Sequence, residues 1–222
     1  MKIVIPCAGE SSRMAYVPKH LVKVKEVPLI SHVIDMWDEP ENSFVFVIKR
    51  SMTYLWEYFP ENSSVAFQDE PKGLADAVLQ AASCVDGKFI VALGDCLQHG
   101  SFEPPKDDFN LGVGVWSTRR LKELNKSYLV LESDGLVTKV IEKPRLCGRQ
   151  PYSNCGMGTY FFDPRVFDYI RKSDAPLGGG DLTYVIQDMI DHGEKVVPVW
   201  FEGEYVNVGS PEDLKKAEEL LS

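Results

Sequence analysis

The feature that most constrains this chain is a repeated passage from a short β-branched or aromatic run to a segment with helical spacing. Ile3 to Ile5 breaks at Pro6 into small residues. PLISHVIDMW then sets Leu29, Ile30, Val33, Ile34 and Trp37 at helical intervals behind Pro28, a residue tolerated in a first helical turn. SFVFVIK and SVAFQ read as strands, GLADAVLQAA as a helix of good formers, and KFIVALGD as a strand closing at Gly94 and Asp95. Strands alternating with helices predict a parallel α/β sheet. From Phe109 the pattern changes. FNLGVGVWS, SYLVLES and LVTKVIEK are predicted strands, the last two joined by a hairpin-like turn at Ser133, Asp134 and Gly135. MGTYFF, KVVPVWF and EYVNV add three more strands, and PRVFDYI, LTYVIQDMI and PEDLKKAEELL add helices, with Gly178-Gly179-Gly180 as a loop.

The expectation is an α/β fold, a Rossmann-like three-layer mixed sheet with antiparallel additions. Neither an internal repeat nor a low-complexity linker divides the chain, so residues 1–222 are read as one domain. A chain of 222 residues that is 44% hydrophobic can bury a core without disulfides or metal staples, which excludes disordered and fibrous classes. Lys plus Arg number 24 and Asp plus Glu 33, so the formal charge is −9, which opposes attraction to nucleic acid or anionic lipid. No apolar run approaches the roughly 20 residues of a membrane span, and MKIVIPCAGESSR turns polar too early for a signal peptide. A cytoplasmic protein is expected. Five scattered cysteines without a C-x-x-C pair predict free thiols. The four histidines lack metal-ligand spacing and are expected at the surface or sheet edge, without chemistry.

In open α/β sheets ligands bind beyond the carboxyl ends of strands, so the residues just past each strand carry the functional signal. After the first comes Cys7-Ala8-Gly9-Glu10-Ser11-Ser12-Arg13, whose small residues let backbone N–H groups approach a polyphosphate. It has neither a Walker A ending nor a G-x-G-x-x-G, and an ordinary exposed turn explains it equally well. Lys19, behind Pro18, is either a solvated surface lysine or a cation for a transferring phosphoryl group. Asp95 ends an apolar run where an unpaired buried carboxylate is costly, so it reads as a magnesium ligand, a helix N-cap or a structural ion pair. Glu142-Lys143-Pro144 ends a strand, where one charge can face a cleft.

Taken together, these segments resemble the sugar-phosphate nucleotidyltransferase family, which includes glucose-1-phosphate thymidylyltransferases and uridylyltransferases. Its G-x-G-T-R-L loop and following P-K look like Gly9 to Met14 and Pro18-Lys19-His20-Leu21. Q-x-x-P-x-G-L-A matches Gln68 to Ala75 without a gap, G-D matches Gly94-Asp95, and E-K-P matches Glu142-Lys143-Pro144. S-N followed by G-x-Y-F-x-D matches Ser153-Asn154 and Gly158 to Asp163, and W-x-D-x-G-[ST]-P-E looks like Tyr205 to Glu212.

The resemblance implies the fold of nucleotide-diphospho-sugar transferases and transfer of a nucleotidyl group from a triphosphate, dTTP, UTP or CTP, to a sugar 1-phosphate with release of pyrophosphate. It implies that Ala8, Gly9, Glu10, Ser11 and Ser12 cradle the triphosphate and that Gln68 and Gly73 bond the base. By the same resemblance Arg13, Lys19 and Lys143 are catalytic cations, Glu142, Asn154 and Tyr128 bind the acceptor, and Asp95 and Asn207 share Mg2+. Small molecules are then the partners, with homo-oligomers left open. Three positions depart from the pattern. Asn207 stands where many members have aspartate, Ser11 replaces a glycine, and Leu129 follows Tyr128 where many sugar-binding members have glycine. Leu129 keeps open a cytidylyltransferase for a polyol or aminoalcohol phosphate, and a noncatalytic nucleotide-sugar sensor is the third reading. The chain stops about one helix past Asn207, the length expected of a minimal catalytic domain.

Overall fold

The predicted alternation of strand and helix is realised in a computed structural model that describes residues 1–9, 18–70, 72–103, 111–149, 151–173 and 181–221. In chain order the elements are β1 (Lys2–Pro6), β2 (Lys23–Val24), β3 (Val27–Pro28), α1 (Leu29–Asp35), β4 (Ser43–Ile48) and β5 (Ser63–Phe67). Next come α2 (Leu74–Gln80), β6 (Phe89–Ala92), β7 (Cys96–Phe102), β8 (Leu111–Thr118), α3 (Leu121–Lys126), β9 (Tyr128–Ser133) and β10 (Leu136–Glu142). The remainder is β11 (Ser153–Phe162), α4 (Val166–Lys172), α5 (Asp181–Asp191), β12 (Val196–Asn207) and α6 (Pro211–Leu220), with 3-10 turns at Lys19–Leu21, Arg50–Tyr58 and Ala82–Cys84.

Among the described residues ten strands form one mixed sheet in the order β5-β4-β1-β6-β11-β8-β12-β7, and β9 joins it through β11 and carries β10. β5, β4, β1 and β6 run parallel, while β11 is antiparallel to both β6 and β8. The central strands are apolar on both faces because both faces are covered. Val4, Val45, Val47 and Val91 point into a core with α2, α4 and α5. Ile3, Ile5, Phe44, Phe46 and Ile48 point into the opposite core with α1 and α6. This is the expected three-layer arrangement.

Several local expectations change. KVVPVWF and EYVNV are one continuous strand, β12, whose first half pairs with β8 and whose second half pairs with β7. β7 itself is invisible to periodicity: between Leu97 and Phe102 CLQHGSF has no apolar side chain, and its order comes from seven partners on β12. The Ser133 to Gly135 turn forms as predicted, with Asp134 and Gly135 both at positive φ. His20 is buried, against the expectation of an exposed histidine. Cys7, Cys96 and Cys155 are free and buried. The predicted glycine loop at 178–180 lies outside the described residues. No helix among the described residues is long and apolar enough to cross a membrane.

α6 starts with a reciprocal cap. Ser210 Oγ accepts from the Asp213 N–H at 3.3 Å and donates to Asp213 Oδ2 at 2.7 Å. Asp213, 1% exposed, also accepts from the Gly209 N–H and, through both oxygens, from Lys126 of α3 at 2.7 Å. These bonds tie the segment after Asn207 to α3. Burial pushes the Asp213 carboxyl up, but the Lys126 ammonium and the Ser210 and Gly209 donors outweigh it and hold the group below its usual value. A lowered folded pKa means that the stabilisation is full above the unfolded value of about 3.9 and is lost as pH falls toward the folded one. Asp213→Asn is therefore expected to melt well below wild type at neutral pH, with the gap closing as the pH drops below 4. Thermal melts across that range check this, and a gap of constant width would contradict it.

Candidate active site

Four of the described candidate residues come from the point where strand order reverses. β1 leads through α1 to β4 on one side, while β6 lies on its other side, so a crevice opens between the carboxyl ends of β1 and β6. Ala8 and Gly9 extend from β1; Ala8 is buried, and among the described residues nothing lies within 4 Å of the place a Gly9 side chain would take. Glu10, Ser11, Ser12 and Arg13 lie outside the described residues. Asp95 follows β6, and the turn at Lys19 brings its ammonium onto Asp95 Oδ2 as an ion pair. Of the readings open for Asp95, the ion pair is present. Its partner is itself a predicted site residue.

Asp95 is held from several sides. Cys96 Sγ donates to Oδ1 at 3.3 Å. Burial pushes the Asp95 carboxyl up, but the Lys19 ammonium, with help from the Cys96 thiol, outweighs it and holds the group below its ordinary value. His20 lies beneath, its Nδ1 3.4 Å from the Gly94 carbonyl oxygen, to which a protonated Nδ1 donates. Burial lowers its pKa, which keeps the ring neutral near pH 7. Sequence reading gave His20 no role, although its place directly after Lys19 was the available signal.

Asn207 ends β12 opposite Cys96, and the Val208 N–H donates to the Asp95 carbonyl at 2.8 Å, so the two predicted metal ligands sit on abutting backbone segments. A carboxylate and an amide carbonyl are hard oxygen donors suited to Mg2+, which completes its shell with phosphates and water. No cluster of three or more His, Cys, Asp or Glu that could hold a metal occurs among the described residues. The donor set fits a magnesium ion that arrives with a polyphosphate, and the Lys19 ammonium shows that the Asp95 carboxylate accepts a cation here.

The third group comes from the antiparallel additions. Glu142 ends β10 opposite Tyr128, accepts from Thr183 Oγ1 at 2.9 Å and pairs with Lys143 at 3.2 Å. Lys143 takes a left-handed backbone, φ 42°, fixed by its N–H on the Ser127 carbonyl at 2.8 Å, and more than half of its side chain is exposed. Burial raises the Tyr160 phenol's pKa, and the Glu142 and Asp95 carboxylates add to the rise. Asn154 lies at the start of β11, its Oδ1 accepting from Ser117 at 2.9 Å.

Two predicted residues are placed differently from a simple contact role. Tyr128 is 3% exposed in the core, and its hydroxyl lies 3.4 Å from the Met157 carbonyl, so no exposed polar group is left on it to meet an acceptor. Gln68 is buried at the end of β5, and its Nε2 donates to the Gly73 carbonyl at 3.0 Å and Asp76 at 2.7 Å, so the acceptor Oε1 is the group not committed to that turn. A separate groove of about 780 Å3, lined in part by Met1, Trp37, His99 and Phe102, opens at the amino ends of β1 and β4 and contains none of the predicted site residues.

Comparison with known proteins matches residues 14–222 to the family described as nucleotidyl transferase. The chain is 27% identical over 230 residues to the bifunctional protein GlmU of Methanocaldococcus jannaschii; the match takes in all of this chain and 54% of that protein, so the chain spans about half its length. It is 27% identical over 251 residues to the UTP–glucose-1-phosphate uridylyltransferase AglF of Haloferax volcanii, covering all of this chain and 96% of that protein. Among solved structures, UDP-glucose pyrophosphorylase complexed with UDP-glucose superposes with a TM-score of 0.80 at 18% identity, over 98% of this chain and 97% of the other. That likeness is one of fold.

Proposed function

The chain belongs to the nucleotidyl transferase family, and from that premise we propose that it joins a pyrimidine nucleoside triphosphate to a sugar 1-phosphate, releasing pyrophosphate and forming a nucleoside diphosphate sugar. The observation that carries this reading is the Lys19–Asp95 pair at the β1–β6 crevice, with Asn207 on the abutting strand end. In this reaction an acceptor phosphate oxygen attacks the α-phosphorus in line with departing pyrophosphate. The oxygen is already ionised near neutral pH, so no general base is needed. The protein's work is to bring two anions together and screen their repulsion.

Each described side chain has a part in that work. The open backbone at Ala8 and Gly9 receives the phosphates, and Lys19 leaves Asp95 to screen charge on the α-phosphoryl group. Lys143, exposed on its turned-out backbone, holds the acceptor phosphate, while Glu142 and Asn154 accept from acceptor hydroxyls. Gln68 offers its amide oxygen to the base at the β5 end. Mg2+ held by Asp95 and Asn207 would supply Lewis-acid neutralisation of the phosphates. Residues 1–222 act in this reading as one catalytic unit in the cytoplasm.

The test is magnesium-dependent pyrophosphate release, with each common nucleoside triphosphate paired against sugar 1-phosphates and against polyol and aminoalcohol phosphates. Release that requires both a pyrimidine triphosphate and a sugar 1-phosphate is the expected result. Release only with a polyol or aminoalcohol phosphate would overturn the acceptor assignment. Nucleotide binding without release from any pair would overturn the reaction and favour a sensor.

A further inference from the structure

Behind Asp95 lies a buried line of polar groups that the reaction above does not use. Cys96 and Tyr205 are each 4% exposed and sit in an apolar cluster with Trp116, Met157 and Phe201. Cys96 Sγ is 3.3 Å from Asp95 Oδ1 and 3.1 Å from Tyr205 Oη, and the Gly158 N–H donates to Tyr205 Oη at 3.3 Å. The proton positions are fixed by elimination. An ionised carboxylate only accepts, so the thiol proton points at Asp95. The sulfur then receives the Tyr205 hydroxyl proton, and the tyrosine oxygen receives the Gly158 N–H. The line runs one way, from the β11 backbone to the carboxylate.

We propose that Cys96 and Tyr205 are positioning residues that set the orientation of the Asp95 carboxylate. The inference rests on the function proposed above for its consequence, though not for its geometry. Lys19 occupies Oδ2 and Cys96 occupies Oδ1. When Lys19 turns to a phosphoryl group, Oδ2 becomes free for a cation, and Cys96 is the tether that keeps the carboxylate plane where it was. Room for this tether depends on Gly158: a Cβ there would stand 2.5 Å from Cys96 Sγ, so β11 can approach the thiol only as glycine. Trp116 packs against Tyr205 with ring centroids 5.8 Å apart and limits the phenol's swing.

The experiment compares Cys96→Val, Cys96→Ser and Tyr205→Phe with wild type in Mn2+ binding to the protein in the presence of a non-hydrolysable pyrimidine triphosphate analogue, followed by electron paramagnetic resonance, with Asp95→Ala as background. Cys96→Val fills the site without a donor and is expected to weaken Mn2+ binding about tenfold with little change in melting temperature. Cys96→Ser restores the donor and recovers most of the affinity, and Tyr205→Phe lowers it in the same direction as Cys96→Val. Equal affinities for wild type and Cys96→Val overturn the proposal, as does wild-type binding no tighter than that of Asp95→Ala. Turnover is measured alongside: a wild type silent in pyrophosphate release whose Mn2+ affinity still falls in Cys96→Val overturns the reaction and upholds the positioning role.

Discussion

Asp95→Asn is expected to lower turnover on the order of 1000-fold, the range seen when a charge-stabilising group is removed from a phosphoryl or acyl transfer site. The substitution keeps the side-chain volume and the ability to accept from Cys96, but it removes the charge that draws Lys19 and a divalent cation to the crevice. Folding should survive. The Lys19 ammonium, left without its partner, is still about one-fifth exposed and can turn toward water. Steady-state pyrophosphate release measured beside a thermal melt separates the two effects. Turnover within a few-fold of wild type, with the fold intact, would remove Asp95 from the reaction. A loss of activity matched by a collapse in melting temperature would make Asp95 a structural residue.

The second large effect is expected at Gly156 and concerns the acceptor side of the crevice. A Cβ built on Gly156 would lie 2.0 Å from the Tyr128 ring, well inside any real contact. The ring has nowhere to go. It is stacked on Tyr160 with centroids 6.1 Å apart, and its hydroxyl lies near the Met157 carbonyl. Gly156→Ala should therefore cost more than about 4 kcal/mol, a fall in melting temperature on the order of 10 °C for a chain of this size. The same change made in a Tyr128→Leu background should cost far less, because the clashing ring edge is gone. If both backgrounds lost the same stability, the tight approach of β9 to β11 would not be the cause.

These two sites differ in how legible they were. Asp95, Lys19, Glu142, Lys143, Gln68 and Asn207 could all be picked out because each follows an apolar run or belongs to a short ordered motif. Their residue types are unusual where a strand ends. Cys96 and Thr183 could not. Each is an ordinary residue in its own segment, and its importance comes from a partner 109 and 41 positions away respectively. Tyr128 shows the opposite case. Its motif position implied a role at the acceptor, while its ring lies in the core beside the Glu142 end of β10.

By itself, the order of apolar runs and helical segments determined the layered α/β class, the helices on both faces and the carboxyl-edge location of the candidate site. The reason is that hydrophobic periodicity is local and handed down directly from residue order. Only the tertiary structure decided that β12 is one strand bridging β8 and β7, that β7 exists, and that Lys19 sits on Asp95. Those outcomes depend on pairing between segments far apart in the chain, where geometry and burial select the partner and a window of sequence carries no trace of the choice.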